Sequence, residues 1–324
     1  MNIARRWLLL AAACLGVAAG PVLAQTFPNR PIKLILPFPA GSATDGTARV
    51  IAEDLRKGLG QPIVIENQAG ADGNIAAMTA KRAAPDGYTL FMSTNSAHAV
   101  NKTLYANLAF DPEKDFEPVA GLISIPLTLL VRKDFPASDV ASFIAVAKAR
   151  SASRPLSFGS GNTSSQIAAA LLQSVAGVDI THVPYRGTPQ ALTDLVGGQI
   201  DALLVDPFSS MGFVQNGQLK VLAVTGKVRH PLLPDVPTMG EAGYKDVQVV
   251  TWAALFAPAG TNAAIVDRLN AEVAKSLSRP ETKVAIQKMA MDPMPMTPSQ
   301  LRSFVHAEIQ RWGRLVELAG LPKK

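Results

Sequence analysis

An α/β fold of two lobes joined by two crossing strands is what this 324-residue sequence predicts, on three observations. Short apolar strand runs alternate with helical segments along most of the chain. Beyond an N-terminal leader, about 300 residues remain, more than one hydrophobic core ordinarily serves. Two long extended apolar segments, near 118–131 and 247–258, bracket the middle set of strand–helix units. Lobes are expected at 25–124 plus 251–324 and at 125–250, with a cleft between them.

The first element is a secretory leader over 1–24. Arg5 and Arg6 form its basic start, Trp7 to Ala19 its apolar core, and Val22-Leu23-Ala24 places cleavage before Gln25. The apolar run falls short of the ~20 residues that a membrane span needs. Cys14, the single cysteine, lies inside the leader. Ala11-Ala12-Ala13 before it lacks the large aliphatic residue of a lipid-attachment site. The mature chain then has no thiol for a disulfide, a nucleophile or a metal, and a periplasmic location is expected.

Ile32–Leu36 reads as the first strand, after which Ala48, Ile51, Ala52, Leu55 and Leu59 mark one face of a helix from about Asp45 to Leu59, ended by Gly60. Pro62 to Glu66 is a strand, Ile75 to Ala83 a helix stopped by Pro85-Asp86-Gly87, and Tyr88 to Met92 a strand. The second set runs helix Ser138–Arg150, strand Leu156–Gly159, helix Ser164–Ala176, strand Ile180–Pro184, helix Thr188–Val196 and strand Ile200–Val205. A short helix over about Ser209–Asn216 and a strand Leu219–Thr225 complete it. Strands this apolar, separated by helices, point to parallel sheets covered on both faces. Pro231, Pro234 and Pro237 exclude a helix over 229–237. From Ile265 onward the pattern is helical to the end, with Leu301, Phe304, Val305, Ile309, Trp312, Leu315 and Leu318 on one stripe. Met289, Met291, Met294 and Met296 lie among Pro293 and Pro295 and read as a packed connector, not a copper site.

Composition narrows the function. Hydrophobic residues make up 48% and charged residues 17%, as in a soluble globular chain. The formal charge of +6 falls to +4 once Arg5 and Arg6 are removed, and no basic block remains, so nucleic acid is not an expected partner. No GxSxG, HExxH or Walker loop occurs, and the four histidines (His98, His182, His230, His306) lack metal-ligand spacing. Neither a metal nor a cofactor is expected. Nothing signals oligomerisation, and a monomer is expected.

Two strand-to-helix loops carry the remaining chemistry. In Phe38-Pro39-Ala40-Gly41-Ser42-Ala43-Thr44-Asp45, small residues and two hydroxyls meet a helix N-terminus, where backbone N–H groups and the helix dipole favour an anion. The same residues also suit a plain turn capped by Thr44 or Asp45. Ser160-Gly161-Asn162-Thr163-Ser164, after Gly159, is a second loop of that kind. Ser164 stands where a dinucleotide fingerprint has its third glycine, and no acidic residue follows at the right distance. Asp206 ends a strand where ligand-facing residues sit in open sheets, and equally suits the cap of the next helix. His182, in an apolar strand, reads as a satisfied core or interface histidine.

Seven segments, in order, resemble the Bug receptors, the extracytoplasmic solute receptors of the tripartite tricarboxylate transporter system. They are RPIKLILPFPAGSATD (30–45), LGQPIVIEN (59–67), GADGNIAA (70–77), PDGYTL (85–90), HVPYRG (182–187), LPDVPTMGEAG (233–243) and the Trp252 segment leading into APAGT (257–261). The resemblance implies a periplasmic-binding-protein-like fold that closes on its ligand in a Venus-flytrap motion. It implies a small carboxylate, dicarboxylate, acidic amino acid or aromatic acid as ligand, and integral membrane transporter subunits as partner. It places Phe38 to Asp45 on the first wall, with Asn74 and the Thr94-Asn95-Ser96 stretch near it. Ser160 to Ser164, Tyr185 and Asp206 belong to the opposing wall. The chain departs from the family pattern at Ser42, at Asn162-Thr163, at Gln166 and at Ala170. The function expected is reversible capture of a small organic anion, without chemistry on it. A periplasmic sensing subunit and a periplasmic enzyme are the alternative readings.

Overall fold

In a computed structural model, residues 27–150 and 154–324 are described. The leader and Cys14 lie outside them. The chain forms two mixed sheets flanked by helices. The first sheet uses β1 (Ile32–Leu36), β2 (Ile63–Asn67), β3 (Thr89–Thr94), β4 (Phe116–Pro126), β10 (Val250–Pro258) and β11 (Asp292–Met296), in the order β11-β4-β10-β3-β1-β2. The second uses β5 (Thr128–Arg132), β6 (Leu156–Ser160), β7 (Ile180–Pro184), β8 (Ala202–Val205) and β9 (Leu219–Val224), in the order β7-β6-β8-β5-β9.

The helices are α1 (Ala43–Leu59), α2 (Asn74–Lys81), α3 (Asn101–Leu104), α4 (Val140–Arg150) and α5 (Thr163–Ala176), then α6 (Thr188–Val196) and α7 (Pro207–Gln215). Beyond β10 follow α8 (Ala263–Ser278), α9 (Pro280–Lys288) and α10 (Pro298–Leu318). Strand alternation sets the layers. Ile32, Leu34 and Leu36 face α1 and α8, packing with Ile51, Leu55, Leu269 and Val273. Ile35 and Phe91 face the other way, into a core that runs on without a break through Trp252 and Trp312 to Leu129, Phe158, Ile167 and Leu171 of the second sheet. The outer face of that sheet, with Leu130, Leu203 and Val205, is covered by Leu192 and Leu195 of α6.

Three expectations are corrected. The sheets are mixed, because the crossing strands β4 and β10 pair antiparallel, as β5 does with β8 and β9. The C-terminal region is not wholly helical. Asp292–Met296 adds an antiparallel edge strand to β4, a position that tolerates Pro293 and Pro295 because an outward N–H needs no partner. The cap of α1 is Ser42, not Thr44 or Asp45. The methionine connector is packed at one end, with Met289 and Met291 buried, while Met294 and Met296 sit on the edge strand.

The chain crosses between the sheets at Leu127, from β4 to β5, and again between β9 and β10. One buried hydroxyl fastens both crossings. Thr225 Oγ1 accepts from the Leu127 N–H at 2.8 Å and donates to the Val249 carbonyl, and the Thr225 N–H donates to Leu127 O at 2.8 Å.

Candidate functional site

The carboxyl ends of the parallel strands in both sheets face one another, as ligand sites in open α/β sheets do. Between them lies a cavity of about 40 Å³, room for about three ordered waters. Four helices begin at it. Ser42, Ala43 and Thr44 come from the start of α1, Asn162 and Ser164 from α5, Thr188 from α6 and Asp206 from α7. The first N–H groups of each helix have no partner within the helix, and the dipole ends add positive potential.

Each start is built by local chemistry. Gly41 takes the left-handed φ of +80° that turns the chain out of β1, with open space where a Cβ would stand. Ser42 Oγ then accepts from the Asp45 N–H at 3.3 Å and lies 3.0 Å from Thr44 Oγ1. Asp45 turns away from the cavity. Its carboxylate accepts from Arg49 Nε at 3.0 Å, Arg49 Nη2 at 3.1 Å and the Gly41 N–H at 3.1 Å. Burial alone would push that carboxyl up, but the hydrogen bonds from Arg49, Gly41 and Asn67 outweigh it and hold it below the usual carboxylate range. The negative charge is thus spent bracing the loop.

On the other wall, Asn162 Oδ1 accepts from the Ser165 N–H at 2.9 Å and caps α5. Asp206 caps α7, accepting from the Ser209 N–H at 2.8 Å and Ser209 Oγ at 3.1 Å. Burial pushes the Asp206 carboxyl above the usual range, against those hydrogen bonds. For both loops and for Asp206, capping and cavity lining are the same arrangement. Asn95 joins the walls, its Nδ2 donating to Ser164 Oγ at 2.5 Å. Thr94 also lines the cavity, and its Oγ1 is buried and without a protein partner among the described residues.

Of the residues expected at the site, Phe38, Ser42, Ala43, Thr44, Thr94, Asn95, Asn162, Ser164 and Asp206 line this cavity, as does Ser96. The others stand elsewhere, for reasons of partnering. Ala40 and Gly41 form the exposed turn. Pro39 packs at the mouth against Gly187, where a Cβ would come within 2.6 Å of its Cγ. Asn74 Oδ1 accepts from Asn101 Nδ2 at 2.7 Å. Ser160 Oγ lies 2.6 Å from His182 Nε2, which also satisfies that histidine. Thr163 is buried in the α5 start, outside the lining. Tyr185 and Gly161 line a neighbouring cavity of about 290 Å³, shared with Phe38, Asp72 and Lys324, and Tyr185 Oη donates to Asp194 at 2.8 Å.

The sequence reading missed Ile125, Leu127, Thr188, Thr251 and Trp252. Thr188 follows the Arg186-Gly187 turn, a helix-start signal of the same kind as the two loops recognised. The other four lie on or beside the crossing strands and reach the cavity only through the tertiary fold. Trp252 is held there by Glu308 of α10, which accepts from its indole Nε1 at 2.7 Å and from Trp312 Nε1 at 2.9 Å.

The sequence profile described as "Tripartite tricarboxylate transporter family receptor" matches residues 47–321. Protein BugT of Bordetella pertussis is 35% identical over 313 residues, covering 96% of each chain. The R. palustris protein Rpa4515, solved with adipate, superposes with a TM-score of 0.89 at 34% identity, over 92% of this chain and 100% of that one. MatC of Rhodopseudomonas palustris, solved with bound malate, gives a TM-score of 0.84 at 37% identity, over 90% and 100%.

Proposed function

Because the chain belongs to the family of tripartite tricarboxylate transporter receptors, we propose that it captures a small carboxylate between its two sheets and hands it unaltered to membrane transporter subunits. The observation that carries this is the convergence of four helix N-termini, α1 from the side of the first sheet and α5, α6 and α7 from the side of the second, on one cavity with no cationic side chain in its lining. Backbone N–H groups at the starts of α1 and α5, with the Ser42, Thr44 and Thr94 hydroxyls, hold the carboxylate directly or through ordered water. Adipate and malate in the similar structures support that ligand class. The lobes are taken as 25–124 with 251–324, and 125–250. The Asn95–Ser164 hydrogen bond between the sheets fits a state in which the walls meet, and a ligand bridging both walls stabilises it.

The leader sequence supports action in the periplasm. Among the described residues no helix is long and apolar enough to cross a membrane. No nucleophile–base pair or metal is part of the proposed mechanism.

Isothermal titration of the mature chain against dicarboxylates, acidic amino acids and aromatic acids tests the reading. At least one acid is expected to bind with 1:1 stoichiometry, and silence across the panel with ligand-free protein overturns it. Thr44→Val and Thr94→Val sharpen the test. Each keeps the side-chain shape and deletes a donor, so affinity should fall about threefold to tenfold, near one hydrogen bond of ~1 kcal/mol. Thr94→Val should leave the melting temperature equal or higher, because it removes a buried hydroxyl that lacks a protein partner. Unchanged affinity in both variants would confine these residues to helix capping and packing.

A further inference from the structure

The charge inside the cavity narrows the ligand further, an inference that rests on the carboxylate reading above. Among the lining residues none is Lys, Arg or His, and Asp206 alone is ionisable. Asp206 is 8% exposed. Its protein partners are the N–H and hydroxyl of Ser209, and no cationic side chain acts on its carboxyl. A buried carboxylate without a cation is costly unless a donor or a proton completes it.

The rest of the lining supplies the complement. Thr94 Oγ1 offers an unused buried hydroxyl, and the starts of α1 and α5 offer N–H groups. The cavity therefore has donors for one carboxylate and a single acidic acceptor for something else. A second ligand carboxylate placed at Asp206 would set like charges together in a site of low dielectric. An ammonium or hydroxyl group placed there would satisfy both partners.

We propose that Asp206 is a specificity-determining residue, selecting small carboxylates that carry a hydrogen-bond donor, ammonium or hydroxyl, which its side chain accepts. Shape and length are not what it reads. Acids of one carbon skeleton should be ranked by the donor they carry.

Succinate, malate and aspartate share four carbons and differ in that donor, so their titration into the mature chain is the test. Malate or aspartate should bind at least tenfold more tightly than succinate, and which of the two leads tells hydroxyl from ammonium. In Asp206→Asn, which keeps the shape and an equally good helix cap, the gap should shrink to threefold or less. Succinate should then bind at least as tightly as to the unmodified chain. Equal binding of all three acids by the unmodified chain overturns the proposal, whatever the variant's folding. A preference that survives Asp206→Asn overturns it too, as does a panel in which only donor-free acids bind. Binding of no acid at all sinks the carboxylate reading itself and is thereby distinguishable.

Discussion

Gly161→Ala should cost the protein at least tenfold in affinity for whichever acid it binds, and stability with it. A Cβ at this position would stand 2.4 Å from the Thr188 nitrogen and 2.6 Å from the Gly187 carbonyl carbon. Both are backbone atoms and cannot swing aside. Either the loop capped by Asn162 or the start of α6 must move, and at least one of the four helix N-termini then loses its aim at the cavity. Overpacking of this kind costs about 1–3 kcal/mol, or several degrees of melting temperature at roughly 2–4 °C per kcal/mol for a chain of this size class. Gly212→Ala is the matched control. It lies within α7 with open space at the Cβ position, so it should stabilise by up to ~1 kcal/mol. Titration and thermal melts of the pair decide the matter. Wild-type affinity and melting in Gly161→Ala would show that the two loops need not approach this closely.

Glu308→Leu should be the most destabilising single change near the site, by about 3–5 kcal/mol. Glu308 is 7% exposed and serves two indoles and Arg311 together. Without it the Trp252 and Trp312 N–H groups are left buried and unpaired, each at a cost of about 1–3 kcal/mol. Arg311 is partly exposed and adds less, since water screens it. Glu308→Gln keeps an acceptor and should lose about half as much. Urea denaturation reads the difference as a lower midpoint with the slope unchanged. A loss under 1 kcal/mol in Glu308→Leu would mean that the indoles find other acceptors.

Much of this architecture is legible in the residues. Period-two and period-3.6 patterns locate β1, α1, β7 and α6, and the apolar segments around Leu122–Val131 and Trp252 mark the crossings. What those patterns do not carry is direction. A run such as Thr128–Arg132 looks alike whether its neighbour runs parallel or antiparallel, and the mixed sheets follow from which end the crossing chain enters. The edge strand at Asp292–Met296 escapes because its prolines, normally evidence against a strand, cost little on an outer edge. The short helical turn over Ser96–Val100 escapes because its small residues show no period.

The site divides in the same way. Helix starts are written locally, so the loops holding Ser42 and Asn162, and Asp206, can be picked out from small polar residues after an apolar run, although which residue caps α1 is not. Asn74 and Tyr185 look equally suitable, yet their polar atoms are taken up by Asn101 and Asp194, partners 27 and 9 residues away. Trp252 and Ile125 give no polar signal at all. Their place in the wall is a property of the crossing, not of their own segments.

The Thr225 hydroxyl that joins Leu127 to Val249 has a mechanical meaning. Swinging one half of the molecule against the other requires the chain to bend at both places where it passes between them. A single pin through both bends would couple them, so that any swing of the halves turns about one shared axis in place of two loose joints. A door hung on one pin opens without wobble, and on each closing it returns its edges to the same alignment.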